Sequence, residues 1–266
     1  MSSHSKATLV QIPEPSGQQQ TLPTESSARI PDEELRIEFC TPADAERIAE
    51  GNYLTFPSTF FDRVEPLSLR PPHAIRIARL AKRILPSLSD PRIKWIKAIH
   101  TPSSAVLGIA CWTAPNAPLH LHLRRDAIAP HAFDWQAKMG WSDDQVDDMW
   151  SSVSHVEWNV RSEQNDAVRR SVVGDVPHWH LASLFTWPRW QGRGVGKKLL
   201  MWAIEQADEN VPSTPMFLES APTARAVYMH FGFVECGKVA MVRWGPGDVS
   251  DKVERERRKR LEEEGR

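Results

Sequence analysis

The run Gln191-Gly192-Arg193-Gly194-Val195-Gly196 constrains this chain more than any other segment. It follows an apolar stretch, His178–Thr186, that reads as a strand. It opens a stretch to about Glu209 in which Val195, Leu199, Leu200, Ala203, Ile204 and Ala207 share one helical face. A strand that stops at a glycine-rich turn and restarts as a helix gathers the unpaired N–H groups of the helix start, with their partial positive charge. Glycines let the backbone approach an anion without a side chain in the way. Such a turn is a cradle for a phosphate or pyrophosphate. Two familiar phosphate patterns do not fit. In G-x-x-x-x-G-K-[ST], Gln191 stands at the first glycine and Lys198 at the hydroxyl residue; the G-x-G-x-x-G pattern fails on spacing.

The flanking sequence alternates short strands and helices. Met216–Ser220 reads as a strand and Ala221–Thr223 as a break. A helix follows from near Ala224, with Ala224, Val227, Tyr228 and Phe231 on one face and Gly232 at its end. Phe233 opens a further strand, continued by Val239–Trp244. Upstream, Leu35–Cys40 reads as a strand. Thr41-Pro42-Ala43-Asp44 reads as the capped start of a helix reaching about Leu54. A second helix is expected near His73–Leu85, with Ile77, Leu80, Ala81 and Ile84 on one face, and Arg92–His100 with Ala105–Thr113 forms a hairpin. Residues 114–175 read as an insertion, with a helix over Ser142–Trp150 and a strand over Val153–Val160. Residues 1–33 have the composition of a disordered leader, and 248–266 that of a solvated, charged tail. Between them, 34–247 forms one domain.

Composition excludes several classes. Lys plus Arg is 33 against 34 Asp plus Glu, so nothing in the overall charge points to nucleic acid. The basic cluster at 255–260 fits a nuclear-import patch, but acidic neighbours on both sides favour a solvated face. No segment approaches the ~20 apolar residues of a membrane span, and the N-terminus lacks a secretory pattern. Three scattered cysteines, Cys40, Cys111 and Cys236, give no zinc spacing and fit reduced, buried thiols. A cytoplasmic location is expected, with the nucleus as the alternative. The pairs His120-x-His122 and His178-x-His180 would make a metal site only if the fold joined them, so no metal is expected.

The strand before Gln191–Gly196, the Leu218-Glu219-Ser220 strand end and Tyr228-Met229-His230-Phe231-Gly232-Phe233 follow one another in the order and spacing of the GNAT N-acetyltransferase superfamily, which the chain resembles. The resemblance implies an α/β (α+β) fold: a mixed, mostly antiparallel twisted sheet flanked by helices, with splayed central strands. It implies an acetyl-CoA-dependent acyltransferase that moves an acetyl group to a primary amine of a small molecule or peptide. Transfer of a longer acyl group, a hydroxyl acceptor and a non-catalytic CoA-binding module remain the alternatives.

By the same resemblance, the backbone of Leu184, Phe185 and Thr186 pairs with the pantetheine arm. The amides of Gln191, Gly192, Arg193, Gly194, Val195 and Gly196 hold the pyrophosphate, with charge from Arg193 and Lys197, and Ser220 completes the cofactor-binding set. Tyr228 stands where the family places the general acid that protonates the departing thiolate. Position 180, eleven residues before Gln191, is where many relatives carry a Glu base; here it is His180. His180-Leu181-Ala182-Ser183-Leu184 is similar to the H-L-x-x-L run of aralkylamine N-acetyltransferases, except that Ala182 replaces their second histidine, for which His178 is the nearest substitute. Glu219 and Glu157 are the carboxylate alternatives for the base. The aromatic segments Tyr53–Phe61 and Ala132–Trp158 divide between core and a pocket for a flat amine.

Overall fold

Polar–apolar alternation along residues 93–100 and a continuous apolar run at Ala105–Thr113 lay down the centre of the molecule. The computed structural model describes residues 29–246. The expected leader before Arg29 and the charged tail lie outside the described residues. Strand β1 (Leu35–Phe39) leads into a 3-10 turn at Pro42–Asp44, where the side chains and backbones of Thr41 and Asp44 satisfy one another as a capping box. Helix α1 (Ala45–Thr55) follows, then α2 (Ser58–Val64) and α3 (His73–Ile84), each of the last two started after a proline. Ala81 and Ile84 of α3 are buried, with Ile77 and Leu80 packed beside them, as the period requires. Strands β2 (Ile93–His100) and β3 (Ala105–Thr113) form the expected hairpin.

The stretch after β3 is helical. It holds α4 (Trp135–Met139), α5 (Asp143–Trp150), begun by a capping box between Ser142 and Gln145, and α6 (His155–Val173). The strand expected at Val153–Val160 is therefore wrong, and Glu157 lies in the first turn of α6. Alternating valines suggested a strand, but the Ser154 hydroxyl accepts the Glu157 amide and starts a helix of 19 residues that are mostly polar. Then come β4 (Trp179–Thr186), α7 (Val195–Asp208), β5 (Met216–Glu219), α8 (Arg225–His230), β6 (Val234–Glu235) and β7 (Ala240–Arg243). The last two form a hairpin, not one continued strand, because the chain reverses between Cys236 and Ala240 and pairs Val234 with Val242.

The seven strands lie in the order β1-β2-β3-β4-β5-β7-β6, and only the β4–β5 pair is parallel. Helix α7 covers one face, where Ile96, Ala98, Trp112, Leu199, Ala203 and Met241 are wholly buried or nearly so. Helices α1, α3 and α5 cover the other, around Trp95, Ile109 and Met149, while α6 buries Val173 against Phe217. Burying both faces supplies the apolar area that holds the sheet, at roughly 25 cal/mol per Å² removed from water. Among the described residues, no helix is long and apolar enough to cross a membrane.

Candidate active site

The parallel pair that should run the length of β4 stops early. Trp179 pairs with Met216, His180 with Phe217 and Leu181 with Leu218, after which β5 ends at Glu219 while β4 continues to Thr186. The cause is in β4. Its register against β3 slips between Cys111–Ser183 and Trp112–Leu181, leaving Ala182 as the extra residue of a bulge. The amide of Trp179 bonds Pro215 on the β5 side, whereas that of Trp187 bonds Leu107 on the β3 side. Both numbers are odd, so the alternation must change phase once between them, and the bulge is where it does. Beyond Ala182 the backbone groups of Leu184 and Thr186 thus face the gap left by β5, and those of Phe185 face β3. The side chain of Gln191 reaches back to donate to the Thr186 carbonyl at 3.1 Å. The wedge between β4 and β5 is a slot whose backbone groups await an extended partner.

At the mouth of this slot stands the glycine turn. Gly192 and Gly194 have φ of 72° and 91°, and Gly194 is the N-cap of α7 with no side-chain cap. An L residue with φ near these values is strained, so glycine is required for the chain to enter the helix this way. Val195 is a core residue, 1 % exposed, and contributes only its backbone. Lys197 and Arg193 are exposed, with the Arg193 guanidinium 5.4 Å from the Trp190 ring. Gly196 lies against Leu184, so slot and turn are contiguous. The Arg193 carbonyl is taken by the Ile30 amide at 3.1 Å. These residues fit a phosphate-bearing thioester such as acetyl-CoA: amides at a helix N-terminus, and an extended slot leading away from it. Ser220 is buried at the end of β5, where its hydroxyl donates to the Ala221 carbonyl at 2.7 Å.

Past the split, Glu219 and His180 meet. His180 Nδ1 donates to the His120 carbonyl at 3.1 Å, which leaves Nε2 facing Glu219 Oε2 at 3.0 Å. His180 is sealed, its side chain 2 % exposed, whereas Glu219 is 20 % exposed. His180 also stacks on Phe217, and the His178 and His120 rings stack at 4.2 Å beside it. Burial pushes His178 down to about 4, its hydrogen bond to the Val176 carbonyl opposing the shift. Burial pushes His120 down to about 2, helped by the nearby Arg169. Both are neutral at physiological pH. His122 points elsewhere, its Nε2 3.8 Å from Cys111 Sγ. Three of the four histidines thus come together, yet no group of three or more His, Cys, Asp or Glu among the described residues could hold a metal ion.

Tyr228 points from α8 into the core on the α7 face, edge-on to Phe233, and is 6 % exposed. Burial holds its phenol well above the ordinary tyrosine range, so it stays protonated. Burial likewise pushes the Cys40 thiol up to about 12.

A cavity of about 380 Å³ opens beside the split, on the face opposite α7. Glu219, Ala182 and Ser220 form its floor, and α1, α2 and α6 its walls. Tyr53, Phe56, Phe60, Phe61 and Trp158 line it, whereas Phe133, Trp135 and Trp150 are core. His180 does not line it; Glu219 does. Sequence reasoning missed Arg63 and Arg161, which also line this cavity, because no local pattern marks them.

The parallel pair thus splits beside a helix N-terminus, with a carboxylate at the split. Residues 167–245, which hold all of these features, match the family model described as an acetyltransferase (GNAT) domain. The chain is similar in structure to a histone acetyltransferase and related acetyltransferase from Corynebacterium glutamicum ATCC 13032. That likeness has 17 % identity and a TM-score of 0.50, and covers 80 % of this chain and 97 % of that one. It is also similar to an N-acetyltransferase from Staphylococcus aureus Mu50, at 14 % identity and a TM-score of 0.47 over 78 % and 98 % of the two chains. A third likeness is to arylalkylamine N-acetyltransferase 2 from Aedes aegypti, at 20 % identity and 0.42 over 75 % and 82 %. No curated protein sequence matches the chain. At 17 % identity the first of these likenesses speaks for the fold alone, a mostly antiparallel sheet flanked by helices.

Proposed function

We propose that the protein transfers an acetyl group from acetyl-CoA to a primary amine by direct attack. The observation that carries the reading is the β4–β5 split, with the α7 N-terminus on one side and Glu219 on the floor of a cavity on the other. The Gly192–Gly196 amides would hold the pyrophosphate, the Gln191 amide being taken by the Pro188 carbonyl at 3.3 Å, and the slot beside Leu184 and Thr186 would hold the pantetheine. Bound there, the thioester supplies an activated acyl group.

The protein's own groups do the rest. Glu219 accepts the proton of the amine in the cavity, and His180 behind it shares that proton through Nε2. His180 is therefore a positioning residue and the carboxylate is the base. The sequence assigned that role to His180, with Glu219 as an alternative; the exposure of Glu219 and its place in the cavity favour the exchange. The Leu184 N–H, turned to the slot by the bulge, polarises the acyl carbonyl. Tyr228, kept protonated by burial, donates a proton to the departing sulfur. Holding both substrates in line contributes as much as these proton transfers.

Calorimetric titration with acetyl-CoA, followed by thiol release against a panel of amines, tests the reading. Binding is expected, with release on at least one amine. Glu219→Gln is expected to lower kcat by about 10²–10⁴-fold, the usual worth of a general base, with acetyl-CoA affinity kept. Absence of acetyl-CoA binding, or full activity in Glu219→Gln, would refute it.

A further inference from the structure

The cavity walls carry charges that the transfer chemistry does not use. Of the ionisable groups lining it, Glu65 is fully engaged: the Tyr53 hydroxyl donates to it at 2.7 Å, Arg76 pairs with it at 2.7 Å, and Arg83 at 3.6 Å. Glu65 therefore has nothing left for a ligand, and Arg83 is spent on it. Glu219 is reserved for the reacting amine. Arg63 and Arg161 remain. Among the described residues neither has a carboxylate within 4.0 Å. Arg161 is half-buried on α6 with its guanidinium 5.2 Å from the Phe60 ring, and Arg63 is exposed at the end of α2. Trp158, one helical turn before Arg161, lines the same wall, and its indole N–H is buried with no acceptor. The unspent charges of that wall are thus both cations.

A buried cation without a counter-ion costs free energy, because water is removed and nothing replaces it. Burial lowers the pKa of Arg161, the neighbouring Arg63 lowers it further, and Glu219 opposes them. An anion brought into the cavity would relieve that cost. A second ammonium would meet two unpaired guanidinium groups and no free carboxylate. The surplus in the lining is a single positive charge, which one carboxylate balances and a dianionic phosphate overshoots.

We propose that the acceptor is an amino acid in the broad sense: a primary amine joined to a carboxylate on an apolar body, with Arg161 and Arg63 receiving the carboxylate. This rests on the acetyltransferase reading and names its substrate class. The amine lies against Glu219 and the carboxylate accepts from the Arg161 guanidinium. The body packs among Tyr53, Phe56 and Phe60. The cavity, about 380 Å³, is at the small end of the ~300–1,000 Å³ of ligand sites, which suits a single residue better than a folded protein surface.

The test uses the full chain with acetyl-CoA and thiol release. The panel holds amino acids with the carboxylate one to three carbons from the amine, each matched to its decarboxylated amine and its methyl ester. For at least one body, kcat/KM is expected to favour the acid by about tenfold or more over both partners. In Arg161→Gln that preference is expected to fall by about 10–100-fold, the usual worth of a charge-assisted hydrogen bond. Arg161→Lys is expected to keep part of it, and acetyl-CoA affinity measured on both variants shows that they are folded. Preference for the plain amine or ester, or a preference untouched in Arg161→Gln, overturns the inference and leaves the acetyltransferase reading standing. Release with no amine of any kind overturns both.

Discussion

Replacing His122 by Phe tests how far the buried histidines control acid stability. His122 is 2 % exposed, wedged edge-on between Trp95 and Trp135, and its Nδ1 has no partner. Burial, with a smaller push from His180, lowers its pKa to about 3. In the unfolded chain the same ring titrates near ~6.5. The unfolded state therefore binds the proton first as pH falls. Stability from this group is complete above about 6.5 and is lost between there and about 3, at up to ~1.4 kcal/mol per pH unit. At about pH 5 the unfolded ring is almost fully protonated and the folded one almost not. The loss relative to about pH 7 is then roughly 2 kcal/mol. His122→Phe removes the titration and keeps a flat apolar ring against the tryptophans. Urea unfolding of both proteins from about pH 7 to about pH 5 should show the variant gaining about 2 kcal/mol on the parent, or some 4–8 °C in Tm. Parallel pH curves for the two proteins would refute the reasoning, because they would mean that His122 is protonated as easily folded as unfolded.

Three further outcomes follow from the site. Tyr228→Phe should lower kcat by about 10²–10³-fold while leaving acetyl-CoA affinity within about twofold; single-turnover thiol release separates the two effects, and unchanged kcat would remove Tyr228 from the chemistry. His180→Gln should lower kcat/KM by about 10–100-fold and displace the acid limb of its pH profile; a rate loss with an unmoved profile would reduce His180 to a packing role. Gly194→Ala should cost about 1–2 kcal/mol of stability, because φ is 91° there, and should weaken acetyl-CoA binding by about tenfold; unchanged Tm and affinity would show that the turn is not strained by a Cβ.

Local patterns were legible where each element's signal is contained in its own few residues. Thr41 to Asp44 caps a helix because both partners of the box lie within four residues. The apolar stripe of α7 is buried as its period demands, with Leu199, Leu200 and Ala203 at 0 % exposure. The order strand, glycine turn, helix, strand, helix carried the family resemblance, and it was the resemblance that implied the fold class and the splay of the central strands. The misreadings came where two local signals competed. At Val153–Val160, alternating valines lost to the Ser154 cap and a long polar helix. After Phe233, one continued strand proved to be a hairpin.

The active site was less legible, because its members are far apart in sequence. His180 and Glu219 are thirty-nine residues apart, and His120 supplies its carbonyl from sixty residues away. Only the closure of β4 between β3 and β5 brings them together. Sequence pointed to His180 as the base, yet which of His180 and Glu219 meets the cavity depends on side-chain exposure. Exposure depends on α1, α2 and α6 packing over that face, and the same packing sets Arg63 and Arg161 in one wall. The chain's local periods and turn chemistry thus determine the elements and their order. The bulge at Ala182, the split it sets in the sheet and the charges around the cavity are tertiary outcomes, since each depends on a register or a burial that no single segment possesses alone.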